Sequence, residues 1–515
     1  MYHKHTLTPL IPLLLFSGCM REPQPPMSDE LFGEPVEIEQ GRGERARWCR
    51  EQIIQDNRDL FEREPALTRG KLRKMASSPY AYFRGTASLY WQDMLTPGEH
   101  RMPTQFANAD TSHILLVGDA HPENIGTFKD ADGVFHTTFN DFDAATYGPY
   151  HIELRRLLLG MSIFFEHAGS SEEEVSELTR AGVTAYIHTI HNTSTSFAEF
   201  TSNTRQPRVI QDLLRRAQRD GDIKEELQEY APLHKEQQNR QMFIGELEPR
   251  DERFDLFRDT LRELPTQTYA ELEDALIEYT STTLHPDTHG TFFTMKGASQ
   301  RLGAGVSSYP VKRYYVLIEG DTTEPEDDIL LEFKETLLPP QSLAKINTLN
   351  PPQYPSSAAR VVSAQRALQS NNTLDPLLGH ATTSSATRSW KVRTRTKYQK
   401  GIDRERFAEK RAEGEWTHQD MIEFAQFAGQ LLAHTHIQAP SLSPRSFQDA
   451  LIQLTHEKQD KFIDENILFI ETYSNTQKQD YERFRALLSI HGDDLGYRIQ
   501  SSSPRSFGPR SGGAL

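Results

Sequence analysis

Apolar residues run along this chain in two alternating periods. Short unbroken runs occur at Ile114 to Val117, Ile125 to Phe128 and Val134 to Phe139, the last two separated by Lys129-Asp130-Ala131-Asp132-Gly133. Such runs read as buried strands, and an Asp-Gly turn between two of them predicts a hairpin. Helical spacing follows at Ile152, Leu154, Leu157, Leu158 and Met161. It is expected also around Glu44 to Asn57 and over the charge-rich stretch 171–287, as in Glu172 to His191 and Tyr269 to Thr282. Strand, Gly-rich turn, strand, acidic loop, strand is the pattern from Ser299 to Glu335, with the turn at Gly303 to Ser308 and the loop at Asp321 to Asp328. A helix at Ser356 to Gln369, a strand at Trp390 to Thr396, a helix through Phe424 to His436 and an amphipathic helix from Gln448 to His491 complete an α+β chain. The Ser-, Gly- and Pro-rich tail, SSSPRSFGPRSGGAL, is expected to be disordered.

Chemistry gathers where the strands end. Gly118-Asp119-Ala120-His121-Pro122-Glu123-Asn124 follows the first run, and Asn140-Asp141-Phe142-Asp143 ends the third. One hairpin therefore brings Asp119, Asn124 and Asp141 toward each other. Either half alone is more often structural, since Asp, Asn, Gly and Pro cap local backbone or tolerate unusual dihedrals. The compound pattern favours a site. Phosphoryl transfer needs a carboxylate beside the attacking hydroxyl and oxygen ligands for Mg²⁺, because its catalysis is mostly positioning and charge neutralisation.

GDAHPEN resembles the catalytic loop of the protein-kinase-like superfamily, in the form found in aminoglycoside and choline phosphotransferases, and NDFD resembles its metal-binding Asp-Phe. The stretches SPYAYFRG, GDAHPENIG and NDFDAA together resemble a bacterial family of unknown function, DUF2252. The resemblance implies a kinase-like bilobal fold with a small antiparallel-sheet lobe and a large, mainly helical lobe. It implies Asp119 as catalytic carboxylate, with His121 and Arg84 beside it as further catalytic candidates, and Asn124 and Asp141 as metal ligands with Asp143 in reserve. Arg84 suits an oxyanion, or equally a structural carboxylate partner. The implied cofactors are Mg²⁺ and ATP or another nucleotide, held by Gly303, Gly305 and Ser307 of the turn and by Lys334 of the third strand. The acceptor is a small-molecule or protein hydroxyl.

The order of the parts departs from that family. In kinase-like chains the Gly-rich loop and lysine precede the catalytic loop; here they follow it, which implies a circular permutation. The helix at Ser356 to Gln369 would follow the lysine strand, yet it carries no glutamate, and Gln365 is the neutral partner it offers Lys334. Glu153 stands where an aspartate normally buttresses the catalytic loop. The expected division is 1–27 leader and tether, 28–290 first part of the helical lobe, 291–403 the sheet-rich nucleotide lobe, 404–500 the rest of the helical lobe, and 501–515 tail.

Composition narrows the alternatives. A net charge of -16 over 515 residues disfavours a nucleic-acid binder. Two cysteines, Cys19 and Cys49, give neither a disulfide framework nor a cysteine-rich metal site. His434 and His436 lie two apart on a helix and so point to different faces, which fits structural or polar-surface roles. His3, Lys4 and His5, the apolar stretch from Leu7 to Phe16 and Ser17-Gly18-Cys19 resemble a bacterial lipoprotein signal, despite Pro9 and Pro12. That implies lipidation of Cys19, a membrane anchor and a cell-envelope location facing the periplasm; the alternative is a disordered leader on a cytoplasmic protein. Because the envelope is poor in ATP, a catalytically silent kinase-like binding protein is the competing function. A metallophosphoesterase built on Asp119 and His121 lacks its Gly-Asn-His setting, and a serine hydrolase lacks a G-x-S-x-G elbow.

Overall fold

The computed structural model describes residues 37–498, apart from 99, 131, 193–199, 221–222, 235–238, 247–259, 288–289, 304, 339–350, 370–374, 384–387 and 397. The expected leader 1–27 with its lipidation site Cys19, and the tail 501–515, lie outside the described residues. Among the described residues no helix is long and apolar enough to cross a membrane.

A helical body surrounds Tyr150–His167, whose Leu154, Leu157, Leu158, Met161, Phe164 and Phe165 are all fully buried. A helix apolar on nearly every face has to sit at the centre of its unit. Beside it Glu172–His191 runs against His418–Gln438 with almost no gap; a Cβ on Gly429 would stand 2.1 Å from the Gly182 carbonyl oxygen. The helices Glu44–Arg63, Pro65–Ala76, Pro79–Gly85 and Ala87–Leu95 gather around the long Gln459–His491, burying Cys49, Ile53, Leu72, Tyr82 and Phe484 together. The amphipathic stretch expected from Gln448 is thus two helices, Phe447–Thr455 and Gln459–His491.

Among the described residues the largest sheet has seven antiparallel strands, in the order Gly379–Thr382, Ser389–Thr394, Ile329–Glu335, Arg313–Ile318, Met295–Leu302, Thr260–Arg262 and Gly245–Glu246. It is wider than the stretch 291–403. Its last two strands come from the region read as helical, where helices at Arg208–Arg219, Ile223–Tyr230 and Thr266–Thr280 alternate with very short strands. Strict alternation splits the sheet's two faces. Tyr314, Val316, Leu331, Phe333 and Trp390 pack with Leu272 and Tyr279, whereas Tyr315, Leu317 and Leu330 pack with Leu227 and Tyr230. The helix Ser357–Leu368 lies between the lysine strand and the last two strands in sequence, and packs on Gly379–Thr382 and Ser389–Thr394.

The hairpin forms as expected, Ile125–Lys129 pairing with Phe135–Phe139 in the register Ile125 to Phe139. The strand before the loop, Ile114–Leu116, has a second partner from far along the chain. Just beyond His418–Gln438, the Pro440 carbonyl accepts from Leu115 N (2.8 Å) and Leu442 N donates to the His113 carbonyl (3.0 Å).

Candidate active site

Asp119 reaches its place through a turn that only glycine can make. Gly118 has φ +91°, and a Cβ there would lie 2.0 Å from the Ala144 carbonyl oxygen. Gly118→Ala is therefore expected to cost more than about 1 kcal/mol, since both dihedral and space are wrong; a shift in denaturant midpoint checks it. Buried Glu153 pins the same turn, its carboxylate accepting from Val117 N (3.1 Å) and Gly118 N (2.5 Å). His436 Nε2 lies 3.0 Å from that carboxylate, and its Nδ1 lies 2.8 Å from the Tyr186 hydroxyl. A relay in which Tyr186 donates to Nδ1 and Nε2–H donates to Glu153 satisfies all three groups. The longer acid therefore does buttress the loop, and both His434 and His436 are buried rather than on a polar surface.

The Asp119 carboxylate, 19% exposed, accepts from Arg156 Nε through Oδ1 at 2.9 Å. Arg156 is itself fixed by the Phe83 carbonyl (2.8 Å) and by the Phe83 ring, 3.6 Å beneath its guanidinium. Oδ2 faces His121 Nε2 at 3.8 Å. His121 is buried, and burial, ahead of Arg84 and Arg156, holds its imidazole well below the usual range, so it is neutral. Its Nδ1 accepts from Asn124 N at 3.0 Å, which places the proton on Nε2, toward Asp119.

Asn124 ties the two halves of the site together. Its amide nitrogen donates to the Asp119 carbonyl (3.2 Å) and the Asp141 carbonyl (3.0 Å), and its oxygen accepts from Asn140 N (2.9 Å) and Asp141 N (2.7 Å). Both lone pairs of that oxygen are used. In this geometry Asn124 is a clamp, and ligating a cation requires it to give up one of those bonds.

From the sheet, Lys334 Nζ lies 3.4 Å from Asp141 and 2.5 Å from Asp143. Burial would lift the Asp141 carboxyl, but Lys334, then Lys391 and Arg84, outweigh it and hold the group well below the carboxylate range. The Asp141 side chain is 45% exposed, and Asp143 Oδ1 is buried without a hydrogen-bond partner among the described residues. Lys391, in the neighbouring strand directly opposite Lys334, shares its face and is 3% exposed. Burial, ahead of neighbouring Arg393, pushes its ammonium down to about 8. Among the described residues no hydrogen bond or ion pair holds it.

Other expected contacts differ. Gln365 does not reach Lys334: its amide donates to Gln369 (2.9 Å), which in turn donates to the Phe139 carbonyl (2.9 Å), leaving the two carboxylates as the lysine's partners. The helix carrying Gln365 contributes Arg360 instead, bonded to the backbone carbonyls of Asp143 (2.9 Å) and Ala145. Arg84 pairs with Glu123 at 2.8 Å, with its Nε buried and unpartnered. Gly303 and Gly305 take positive φ, +85° and +79°, and Ser307 donates its hydroxyl to the Arg84 carbonyl (2.6 Å), so the Gly-rich turn is latched onto the Arg84 helix. Arg156, Lys391 and the Tyr186–His436–Glu153 relay lie outside the sequence motifs. Helical spacing alone could have marked Arg156 as an oddity, a charge on a helix buried on nearly every face.

Among the described residues no group of three or more His, Cys, Asp and Glu side chains is placed to hold a metal. Asp141 and Asp143 make a two-carboxylate set, which suits Mg²⁺ in company with phosphate oxygens and water. The unpartnered Asp143 oxygen is an available donor.

A family model described as "Uncharacterized protein conserved in bacteria (DUF2252)" matches residues 63–487, most of the chain, which therefore belongs to that family. No curated protein and no solved structure matches it.

Proposed function

We propose that this DUF2252 protein is a kinase-like phosphotransferase, moving a phosphoryl group from a Mg²⁺-bound donor, ATP or another nucleotide, to a hydroxyl acceptor. One observation carries the reading: Asp119, the Asp141–Asp143 pair and Lys334, from three separate stretches, come together, with Asn124 joining the first two and Lys334 contacting the pair. Further support comes from connectivity. From Met295 the chain runs strand, Gly-rich turn, strand, lysine strand, helix and a last strand paired beside the lysine strand. A permuted chain would also need the helix that ordinarily leads into the catalytic loop to end beside that loop's strand, as His418–Gln438 does through Pro440.

In this reading Arg156 and the Asn124 clamp aim Asp119, and its Oδ2 takes or orients the acceptor's hydroxyl proton. Asp141 and Asp143 would hold Mg²⁺, which when bound neutralises charge on the donor phosphates. Lys334 would exchange its carboxylate contacts for phosphate oxygens.

Mg²⁺-ATP is expected to raise the protein's melting temperature, and Asp141→Ala to abolish that shift, because a ligand specific for the native state stabilises it by mass action. Unchanged stabilisation in the variant would remove Asp141 from the site. The second reading, a silent kinase-like binding protein, is favoured by Gln365 turning away from Lys334 and by the closed Lys334–Asp143 contact. It predicts ligand binding with no donor consumption.

A further inference from the structure

The site-facing side of the sheet carries an arrangement that folding alone does not favour. Arg301, Arg313, Lys334 and Lys391 occupy directly opposed positions on four successive strands, so their side chains form one row on one face. Like charges facing one another across strands are destabilising. The partners differ: Lys334 is met by Asp141 and Asp143, Arg313 by Glu332 at 3.2 Å, and Arg301 by the Tyr315 hydroxyl, while Lys391 is attracted by Asp143 and Asp141 without bonding to either. Two residues further along, Arg393 faces Glu332 at 3.0 Å, and Arg395 beyond it pairs with Glu226 at 2.8 Å. Asp375 accepts from Thr394 N nearby. Asp141 and Asp143 outweigh Arg313 at Lys334, whereas the strongest charged neighbour of Lys391 is another cation, Arg393.

Among the described residues the same face offers no flat apolar surface for a base. Tyr315, at its centre, meets Tyr230 edge-on with ring centroids 4.9 Å apart, and Glu332 is 1% exposed between its two arginines. Recognition here is by charge rather than by stacking.

Resting on the phosphotransferase reading, we propose that the row from Lys391 to Arg301 seats a Mg²⁺-bound chain of three or more phosphates, to whose binding a nucleobase adds nothing. Inorganic triphosphate, or a longer polyphosphate, then serves as donor as well as ATP does. In the transfer step the acceptor oxygen bonds to the terminal phosphorus, the bond from that phosphorus to the bridging oxygen breaks, and its electron pair leaves on the shortened chain. The hydroxyl proton passes to Asp119 Oδ2. Guanidinium and ammonium groups on successive strands are donors suited to phosphate oxygens.

Calorimetric titration of the purified protein with inorganic triphosphate, ATP and GTP, each with Mg²⁺, tests this. All three are expected to bind within about threefold of one another. Lys391→Met and Arg301→Gln should each weaken triphosphate binding by about tenfold or more, the worth of a charged hydrogen bond. Lys391→Met should meanwhile melt no lower than wild type without ligand, since it removes a like-charge neighbour; a purely structural lysine would give the opposite pattern. ATP binding at least about tenfold tighter than triphosphate would overturn the inference while leaving the phosphotransferase reading intact. Wild-type triphosphate affinity in both variants would also overturn it. Binding of none of the three would sink both.

Discussion

Asp119→Asn is expected to lower turnover of the phosphate donor by about 10²- to 10⁴-fold, the range for removing a positioned general base. Asparagine keeps an oxygen for Arg156 Nε and so leaves the loop's geometry in place, while losing the basic Oδ2 that lies 3.8 Å from His121 Nε2. Donor binding should accordingly stay close to wild type. Hydrolysis of the donor, with water as acceptor, supplies the readout without knowledge of the natural acceptor. Equal hydrolysis in wild type and variant would remove Asp119 from the chemistry.

Glu153→Ala should be the most damaging change to the body of the protein. It leaves the N–H groups of Val117 and Gly118 and the His436 ring without their acceptor in a fully buried setting. Each unsatisfied buried donor costs about 1–3 kcal/mol, so a loss of roughly 3 kcal/mol or more is expected in chemical denaturation. The same variant should lose activity beyond its loss of stability, because the turn it frees is the one that aims Asp119. A denaturation midpoint within experimental scatter of wild type would show that the relay is dispensable.

What could be read from the sequence was local. The Asp-Gly hairpin, the strand carrying Lys334 and the helices Glu44–Arg63 and Ser357–Leu368 follow from short-range patterns of apolar residues, turns and caps, and they form where those patterns place them. The convergence of the two halves of the acidic site depends on one hairpin and was legible for the same reason. Long-range partners were not. Nothing near Glu153 signals that His436, hundreds of residues later, will complete its hydrogen bonds, and Lys391 gains meaning only from its register against Lys334. Gln365 shows the converse: a helix can be found from its spacing while the direction of one of its side chains is decided by packing against Gln369 and the hairpin. The two outer strands, Thr260–Arg262 and Gly245–Glu246, are too short for a period of two to stand out in a charge-rich stretch.

In the proposed phosphotransferase, Asp141 and Asp143, opposite Lys334, hold a divalent cation together with a phosphate chain. Manganese in place of magnesium makes that visible, since bound and free Mn²⁺ differ in electron paramagnetic resonance. Wild-type protein should bind Mn²⁺ markedly better once triphosphate is added, Asp141→Asn should lose that gain, and Asp130→Asn, which alters a carboxylate paired with His136 at the hairpin turn, should keep it. The same triphosphate-dependent Mn²⁺ binding in Asp141→Asn as in wild type would contradict the account.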